Sequence, residues 1–329
     1  MEGINKIAKF QINEFLPSQC AFICFASFEK RSVSIPLSLK ADEIGETIIL
    51  RNTSVNSGME NQENIDAICK QLQKNQIKEI NIEDPVSIAD GMTDIVRMLI
   101  NKGIHSIVVD ISTFTHEALL ILLRLLYDNK QKFESVLCLY NGASKYSGGD
   151  SPDKIWLSKG CRDVRNVIGY PGLLKPSAKN HLIVLTGYET ERATRLIEIL
   201  EPDLLSLGDG NEPTDVNHEE AMRYFKKKFD EWKNSFQGVN SESFTFSCRD
   251  VEKSIEALNN VISHKPNENH IIVPLNTKLS TVATAIVALQ NPSIQVCYAI
   301  PEMYNAQKYS EPSDNITIID LKKIKEFAQ

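Results

Sequence analysis

Short apolar runs alternate with amphipathic helical patterns along almost the whole chain. In the first half the runs lie at 22–26, 47–50, 79–82, 106–111 and 135–140, and the helical patterns between them lie at 64–73, 88–101 and 116–128. Runs that are apolar throughout are typical of strands buried on both faces, and such strands occur in parallel sheets covered by helices. Because the runs alternate with helices, we expect βαβ crossovers and an α/β fold with a mostly parallel sheet.

The second half of the chain repeats this order. Its apolar runs lie at 181–186, 204–207, 243–247, 270–275 and 294–300, and its helical patterns lie at 191–200, 217–234, 251–263 and 279–290. Three polar features match between the halves at offsets of 160, 164 and 163 residues, namely Glu29 with Glu189, Thr113 with Thr277, and the Lys-Tyr-Ser sequence at Lys145 with that at Lys308. Nearly constant offsets indicate an internal duplication. We therefore predict two tandem lobes, each a mostly parallel sheet flanked by helices.

The length of 329 residues also fits two domains of ordinary size. We expect an N-terminal lobe over 1–150 and a C-terminal lobe with a tail helix over 178–329. The segment 151–177 lies in a stretch rich in Gly, Pro, Ser and Lys, which is typical of a connection. We therefore predict that this segment is a linker.

Composition and motifs exclude several classes of protein. The net charge of −7 argues against broad binding to a phosphate backbone, so we do not expect direct binding to nucleic acid. Seven scattered cysteines without paired spacing indicate reduced thiols and a cytoplasmic protein. The longest apolar stretch, 118–127, is too short to cross a bilayer. Because the phosphate-binding, hydrolase and metalloprotease motifs are missing, we predict neither a cofactor nor a metal.

Candidate ligand-binding residues follow from the predicted topology. Ligands of open parallel sheets bind beyond the carboxyl ends of the strands, where helix N-termini converge. The residues that lie at this edge are Ser27, Glu29, Arg31, Asp110, Ser112, Thr113, Thr115, His116, Lys145 and Tyr146 in the first lobe, and Gly187, Glu189, Arg192, Asn276, Thr277, Lys278, Lys308 and Tyr309 in the second. Basic and hydroxyl side chains suit an anion, and tyrosines suit a stacked base. We predict a nucleotide-like or other anionic small ligand, in a shared cleft if the two edges face each other.

The same side chains also have structural interpretations. Ser112, Thr113 and Thr115 are well placed to cap the helix that begins near His116. The pairs Glu29 with Arg31 and Glu189 with Arg192 are close enough in sequence for local ion pairs. Tyr146 and Tyr309 are candidates for packing against the last strand of each lobe.

One acidic cluster offers an alternative site. Asp209, Glu212 and Asp215, together with His218, follow the second strand of the second lobe. Carboxylate oxygens are ligands for Mg²⁺, but acidic loops are usually solvated. We favour a plain turn at 208–210 and a solvated loop after it.

The segment after the fourth strand carries a family resemblance. CARF domains are Rossmann-like sensors of cyclic oligonucleotides in CRISPR-linked defence, and they have Asp/Asn, any residue, Ser/Thr, three residues and then Lys/Arg at this place. Asp110-Ile-Ser112-Thr-Phe-Thr-His116 resembles this motif, with His116 where the basic residue is expected. The second lobe keeps a polar turn at Asn276 but loses both ends of the motif. SAVED domains resemble two CARF lobes fused in one chain, which matches the duplication.

The resemblance implies two Rossmann-like lobes and a role in bacterial antiphage defence. Our first hypothesis is a non-catalytic sensor or binding subunit that signals to an effector protein, since the two lobes occupy almost the whole sequence. The second is an enzyme that hydrolyses or modifies a nucleotide or cyclic nucleotide, with Ser112, Thr113 and Lys145 holding the phosphate and His116 or Glu29 as acid or base. The third is a structural subunit of a defence complex whose lobes have lost their ligand.

Overall fold

A computed structural model of the chain describes residues 3–54, 61–146, 157–187, 190–210, 219–236, 240–305 and 310–328. The strands over these residues are β1 (Ile4–Ala8), β2 (Cys20–Ala26), β3 (Ile44–Asn52), β4 (Asn75–Ile80), β5 (Ser106–Asp110), β6 (Ser135–Tyr140), β7 (Ala143–Tyr146), β8 (Ser158–Lys159), β9 (Asp163–Pro171), β10 (Asn180–Leu185), β11 (Leu204–Asp209), β12 (Asn240–Thr245), β13 (Asn269–Pro274), β14 (Gln295–Ile300), β15 (Met303–Tyr304), β16 (Ser310–Pro312) and β17 (Asn315–Asp320).

The α-helices over the same residues are α1 (Arg31–Ser34), α2 (Gln62–Gln71), α3 (Pro85–Asn101), α4 (His116–Asp128), α5 (Glu191–Leu200), α6 (Glu219–Lys233), α7 (Val251–Ser263), α8 (Lys278–Gln290) and α9 (Lys325–Ala328). Short 3₁₀ turns lie at Lys9–Glu14, Pro36–Ser38, Ala41–Glu43, Lys130–Lys132 and Leu321–Lys323. The chain folds into two units. Unit 1 comprises 1–145 and 310–329, and unit 2 comprises 146–309.

Each unit contains a sheet with five parallel strands in the same order. In unit 1 the order is β4-β3-β2-β5-β6, and in unit 2 it is β12-β11-β10-β13-β14. Numbered within each half of the chain, both sheets follow the order third, second, first, fourth, fifth. The predicted α/β fold with two duplicated, mostly parallel, Rossmann-like lobes is therefore confirmed.

An additional antiparallel strand lies next to the fifth parallel strand of each sheet. In unit 1 it is β17, which pairs with β6, and β1 then pairs with β17. In unit 2 it is β9, which pairs with β14. The short strands also pair one strand from each half of the chain: β7 pairs with β16 in unit 1, and β15 pairs with β8 in unit 2. Thus β8 and β9, from the first half of the chain, belong to unit 2, and β16 and β17, from the second half, belong to unit 1.

This exchange divides the chain differently from the expected 1–150, 151–177 and 178–329. The predicted linker contributes β8 and β9 to unit 2, and 310–329, the end of the predicted C-terminal lobe, belongs to unit 1. The strand β9 gives a weak sequence signal because it lies at the edge of its sheet, where only Val167 and Tyr170 are buried. Most of its side chains face solvent, so the apolar run that marks a central strand does not form.

The third strand of each repeat begins earlier than predicted, because it is an edge strand whose first residues are polar. β4 and β12 both lie at a sheet edge, and β12 has no fully buried residue. Their sequences are polar, so the apolar runs at 79–82 and 243–247 mark only the ends of these strands.

The helices α4 and α8 both connect the fourth and fifth strands of a repeat and are buried on almost every side. Residues 279–289 of α8 are all buried, which agrees with a sequence that is apolar around its whole circumference. Among the described residues, no helix combines the length and the hydropathy needed to cross a bilayer. None of the seven cysteines is in a disulfide.

Candidate functional site

In unit 1 a buried ion pair follows β2, the first parallel strand. Glu29 and Arg31 are 9% and 5% exposed. Arg31 donates to Glu29 Oε2 from Nε at 2.9 Å and from Nη2 at 2.7 Å. Ser310, at the start of β16, donates to the same oxygen at 2.9 Å. The predicted ion pair is therefore present, and the carboxylate that the enzyme hypothesis needs as acid or base is bound within the protein.

A hydrogen-bond network joins the ends of β5 and β6. Ser112 donates to Asp110 Oδ1 from its main-chain nitrogen at 3.0 Å and from Oγ at 2.5 Å. Asn141 donates from its main-chain nitrogen to Ser112 Oγ at 2.9 Å. The side-chain nitrogen of Asn141 donates to the carbonyl oxygens of Ser313 and Asn315 at 2.8 and 2.9 Å. The turn between β16 and β17 is thereby attached to the strand ends of unit 1.

Asp110 itself is unfavourable for an anionic ligand. It is 1% exposed, and its Oδ2 has no hydrogen-bond partner among the described residues. Burial raises the pKa of Asp110 to about 7, and the hydrogen bonds from Ser112 and the charge of Arg31 oppose this rise only in part. A carboxyl group that is close to half ionised at neutral pH would repel a phosphate placed beside it.

The other predicted hydroxyl groups of unit 1 are used within the protein. Thr115 Oγ1 accepts from the main-chain nitrogen of Ala118 at 3.1 Å, so Thr115 caps α4 as predicted. Thr113 does not cap this helix but donates to the carbonyl of Phe25 at 2.7 Å. Ser27 Oγ accepts from the main-chain nitrogen of Glu29 at 3.4 Å. His116 is buried in the first turn of α4.

In unit 2 the polar side chains after β13 also bond within the protein. Thr277 caps α8 by accepting from the main-chain nitrogen of Ser280 at 3.3 Å, and it donates to the carbonyl of Cys248 at 3.1 Å. Asn276 donates to the carbonyl of Thr186 at 2.6 Å and accepts from Cys248 Sγ at 3.2 Å. These contacts tie the ends of β10, β12 and β13 together. Lys278 follows as the first residue of α8.

Gly187 is required by the close approach of two strand ends. A Cβ at this position would collide with the carbonyl oxygen of Leu275, which follows β13. The glycine therefore allows the chain after β10 to cross beside the chain after β13. This is a structural role, and it needs no ligand.

Arg192, in the first turn of α5, is the exception among the predicted residues. It is 8% exposed, and its Nη1 donates to the carbonyl of Ala299 at 3.5 Å, which is longer than an ordinary hydrogen bond. Its Nε is buried and has no hydrogen-bond partner among the described residues. No carboxylate of the described chain forms an ion pair with Arg192. Buried donors without a partner are rare in native proteins, and Glu189, the predicted partner of Arg192, lies outside the described residues.

The thiol of Cys161 lies in the electrostatic field of this guanidinium. Burial raises the pKa of Cys161, while the charges of Arg192 and Arg195 lower it in part. Cys161 precedes β9, the exchanged strand of unit 2. The predicted linker therefore supplies a neighbour of Arg192, which the sequence pattern did not indicate because the two residues are distant in the chain.

Five predicted ligand contacts are left without a structural description. Glu189, Lys308 and Tyr309 lie outside the described residues, as do the side chains of Lys145 and Tyr146. Of the acidic cluster, the structure describes only Asp209. Glu212, Asp215 and His218 lie outside the described residues. Asp209 Oδ2 lies 3.1 Å from Lys226 Nζ. Among the residues that the structure describes, no three His, Cys, Asp or Glu side chains are grouped to hold a metal ion.

Comparisons with known proteins give a fold-level likeness only. No protein-family model matches the chain, and no curated protein matches it in sequence. Among solved structures, it is similar to the NADPH-bound carbonyl reductase from chicken fatty liver, with 12% identity, 35% of this chain and 52% of that chain covered, and a TM-score of 0.24. The chain thus spans about half the length of that reductase.

Two further structures cover more of the chain. The N-domain of a bacterial malonyl-CoA reductase with NADP has 9% identity, covers 83% of this chain and 79% of its own, and has a TM-score of 0.24. The complex of leucoanthocyanidin reductase with NADPH from Vitis vinifera has 11% identity, 83% and 88% coverage, and the same TM-score of 0.24. Likeness at this level carries no argument about the ligand of this chain.

Proposed function

We propose that this protein is a ligand-binding sensor subunit, and that unit 2 holds an anionic, nucleotide-like ligand at Arg192. The observation that carries the proposal is the buried guanidinium whose Nε has no partner among the described residues. A phosphate oxygen is the natural acceptor for such a group, because charge-assisted hydrogen bonds to arginine are among the strongest in proteins.

The position of Arg192 in the fold supports the same ligand chemistry. It lies in the first turn of α5, a ten-residue helix that begins beyond the carboxyl end of β10. Main-chain N–H groups at a helix N-terminus attract anions, and this edge is where open parallel sheets bind ligands. We call the Arg192 side chain and the first turn of α5 the Arg192 site.

The two units then have different roles. In unit 1 the equivalent Arg31 is neutralised by Glu29, and the buried Asp110 lies near the same strand ends. Unit 2 is therefore the better anion receptor. The CARF-like motif of unit 1, Asp110 to His116, is used in hydrogen bonds and a helix cap, so the proposed sensing does not depend on it.

The proposed output is a change of conformation or assembly that an effector protein recognises, by resemblance in antiphage defence. A ligand shifts such an equilibrium only by the difference between its affinities for the two states. Contact of a phosphate with Arg192 would engage α5 and, through Ala299, the end of β14.

Calorimetry against linear and cyclic nucleotides and inorganic pyrophosphate tests the proposal. We expect at least one member of this panel to bind with one site per chain, and Arg192→Lys to weaken its affinity about 10- to 100-fold through loss of bonds to a charged acceptor. Arg195→Lys is the matched control, because Arg195 lies one turn later on α5, is exposed and pairs with Glu198. We expect that control to bind like the wild type.

Two results would count against the proposal. Absence of binding across the panel, in protein that is folded by circular dichroism, would remove the sensor hypothesis. Equal affinity of the wild type and Arg192→Lys for the nucleotide would show that the ligand does not bind at the Arg192 site. Analysis of the nucleotide after incubation distinguishes the sensor hypothesis from the enzyme hypothesis, since a sensor leaves the ligand chemically unchanged.

A further inference from the structure

Unit 2 has a surface cavity of about 350 Å³ between the end of α6 and the edge strand β12. The residues that line it are Lys233, Asn234, Phe236, Ser241, Glu242 and Ser243. They belong to the end of α6 and the first part of β12, whereas Arg192 follows the carboxyl end of β10. The cavity is therefore separate from the Arg192 site. We call these six residues the β12 cavity.

Glu242 is held through only one of its two carboxylate oxygens. Ser206 Oγ donates to Glu242 Oε1 at 2.7 Å, and Lys265 Nζ forms an ion pair with the same oxygen. Burial raises the pKa of Glu242, but the hydrogen bonds from Lys265 and Ser206 outweigh it and bring the pKa below its ordinary value. Among the described residues, Glu242 Oε2 has neither a hydrogen bond nor an ion pair. The β12 cavity thus contains an ionised carboxylate with one oxygen available to a ligand.

A chain of buried side chains fixes Glu242 from inside the sheet. His181 Nε2 lies 2.7 Å from Ser206 Oγ, and His181 Nδ1 lies 3.0 Å from His270 Nδ1. His181 and Ser206 are 0% exposed, and His270 is 4% exposed. Because an ionised carboxylate only accepts, Ser206 gives its hydrogen to Glu242, His181 donates to Ser206, and His270 donates to His181. Each of these neutral side chains supplies one hydrogen, and every donor in the chain points toward Glu242.

This chain indicates that the position of Glu242 matters. Burial of polar side chains costs free energy even where they are hydrogen-bonded to one another. Here three of them lead from the interior of the sheet to a carboxylate at the surface. Ser206 is the link that touches Glu242, so Ser206 is a positioning residue for the β12 cavity.

The charges beside the cavity are balanced. Lys233 Nζ lies 3.5 Å from Asp230 Oδ1, and Glu242 is paired with Lys265. Neither a phosphate nor a polyamine therefore meets a large charge of opposite sign. A neutral polar ligand suits these surroundings better than an ion of either sign.

The other side chains of the cavity both donate and accept hydrogen bonds. Those of Asn234, Ser241 and Ser243 form no hydrogen bond with the described residues, and an amide or a hydroxyl can act in either direction. Half-buried Phe236 adds an aromatic ring, which is held by packing on Trp232 at 5.3 Å between ring centroids. A sugar matches this set, because its hydroxyls donate and accept while its ring C–H groups form an apolar face.

We propose that the β12 cavity binds a neutral polyhydroxylated ligand, a sugar or a related polyol, and that one ligand hydroxyl donates to Glu242 Oε2. The cavity volume lies at the small end of the range for ligand pockets, which fits a ligand of this size. The proposal does not depend on the Arg192 site, since the two share no residue.

Ligand-observed NMR on the full-length protein tests this proposal with defined probes. These are the neutral compounds D-glucose, D-ribose, N-acetyl-D-glucosamine and myo-inositol, with putrescine and acetate as charged comparisons. We expect at least one neutral probe to bind saturably and more tightly than both charged probes. Glu242→Gln should weaken its affinity about tenfold or more, because a hydrogen bond to a charged group is lost.

Glu231→Gln is the matched control for Glu242→Gln. Glu231 is an exposed carboxylate of α6 that pairs with Lys227 and does not line the cavity. We expect this control to bind the probe like the wild type. Absence of saturable binding by all four neutral probes would overturn the proposal, as would tighter binding of putrescine or acetate, or equal affinity in the wild type and Glu242→Gln.

Ser206→Ala tests the positioning role separately. Ser206 is fully buried and does not line the cavity, so its hydroxyl affects the ligand only through Glu242. We expect affinity for the probe to fall about three- to tenfold in Ser206→Ala, the effect of one ordinary hydrogen bond, and Ser206→Thr to restore it. Circular dichroism verifies that each variant is folded. Wild-type affinity in folded Ser206→Ala would contradict the positioning role.

Discussion

Arg31 and Arg192 occupy equivalent positions in the two repeats, and among the described residues only Arg31 has a carboxylate partner. Each follows the first parallel strand of its unit and donates from Nη1 to a main-chain oxygen at the end of the fifth strand, that of Asn141 at 3.4 Å or Ala299 at 3.5 Å. The shared carbonyl contact is what a duplicated fold predicts. The charge pairing differs within the described residues, because Glu29 pairs with Arg31 whereas Glu189, the predicted partner of Arg192, lies outside them.

Substitution of the two arginines by methionine should therefore have unequal effects on stability. Arg31→Met leaves the buried carboxylate of Glu29 without its ion-pair partner, so we expect a loss of about 3 kcal/mol or more in the free energy of unfolding. Arg192→Met removes a buried charge that has no carboxylate partner among the described residues, so we expect a change within about 1 kcal/mol. Urea unfolding measures both. Equal losses would contradict the assignment of Arg192 as a ligand contact.

The stability of unit 1 should fall as the pH rises from about 4 to about 7. The pKa of folded Asp110, about 7, lies above its ordinary value of 3.8, so the folded state binds more protons than the unfolded state in this range. Stability is then highest at the acid end, decreases by up to about 1.4 kcal/mol per pH unit, and levels off above pH 7. Asp110→Asn should flatten this slope.

Urea unfolding at several pH values, followed by hydrogen exchange in peptides that cover β5, measures this slope. Asp94→Asn is the control, because Asp94 is an exposed carboxylate whose pKa is lowered by Lys78. We expect this control to keep the slope that Asp110 causes. An Asp110→Asn variant with the slope of the wild type would show that another group titrates.

Asn141 should hold the C-terminal segment of the chain on unit 1. Asn141→Ala removes two hydrogen bonds donated to the carbonyl oxygens of buried Ser313 and half-buried Asn315, so we expect a loss of about 2–4 kcal/mol. Hydrogen exchange over 310–320 should rise more than exchange elsewhere. Ser144→Ala is matched to it, because exposed Ser144 bonds to the same segment at Pro312. Similar exchange in both variants would contradict an anchoring role for Asn141.

Thr115 and Thr277 should act as equivalent helix caps. Each accepts a hydrogen bond from a main-chain N–H in the first turn of its helix, so replacement by alanine should cost about 1 kcal/mol in either unit. Replacement by serine should cost much less, because the accepting hydroxyl is kept. Thermal unfolding of the alanine and serine variants measures this difference in stability. If Thr277→Ala leaves stability unchanged but weakens nucleotide binding, Thr277 is a ligand contact instead of a cap.

The sequence alone was sufficient to predict the ten parallel strands of the two sheets and most of the helices. These elements are marked by local signals, such as the apolar run of β2 and the threonine before α4, and local signals depend only on residues that are near in the chain. The duplication was visible for the same reason, because each repeat carries its own copy of these signals.

The exchange of strands was decided by the tertiary structure. β9 and β17 pair with β14 and β6, and such pairing depends on contacts between distant parts of the chain. β9 lies at a sheet edge and buries too little surface to mark its partner in its own composition. The same holds for the site, since Arg192 differs from Arg31 only through the neighbours that the fold supplies.

The pair of buried histidines His181 and His270 shows this division most clearly. His181 and His270 are 89 positions apart, and neither has a sequence context that distinguishes it from an ordinary residue at the start of a strand. Only the register between β10 and β13 places the two rings side by side. The sequence determined which segments become strands, and the tertiary structure determined which side chains they bring together, because hydrogen bonds and charges act through space over a few ångströms.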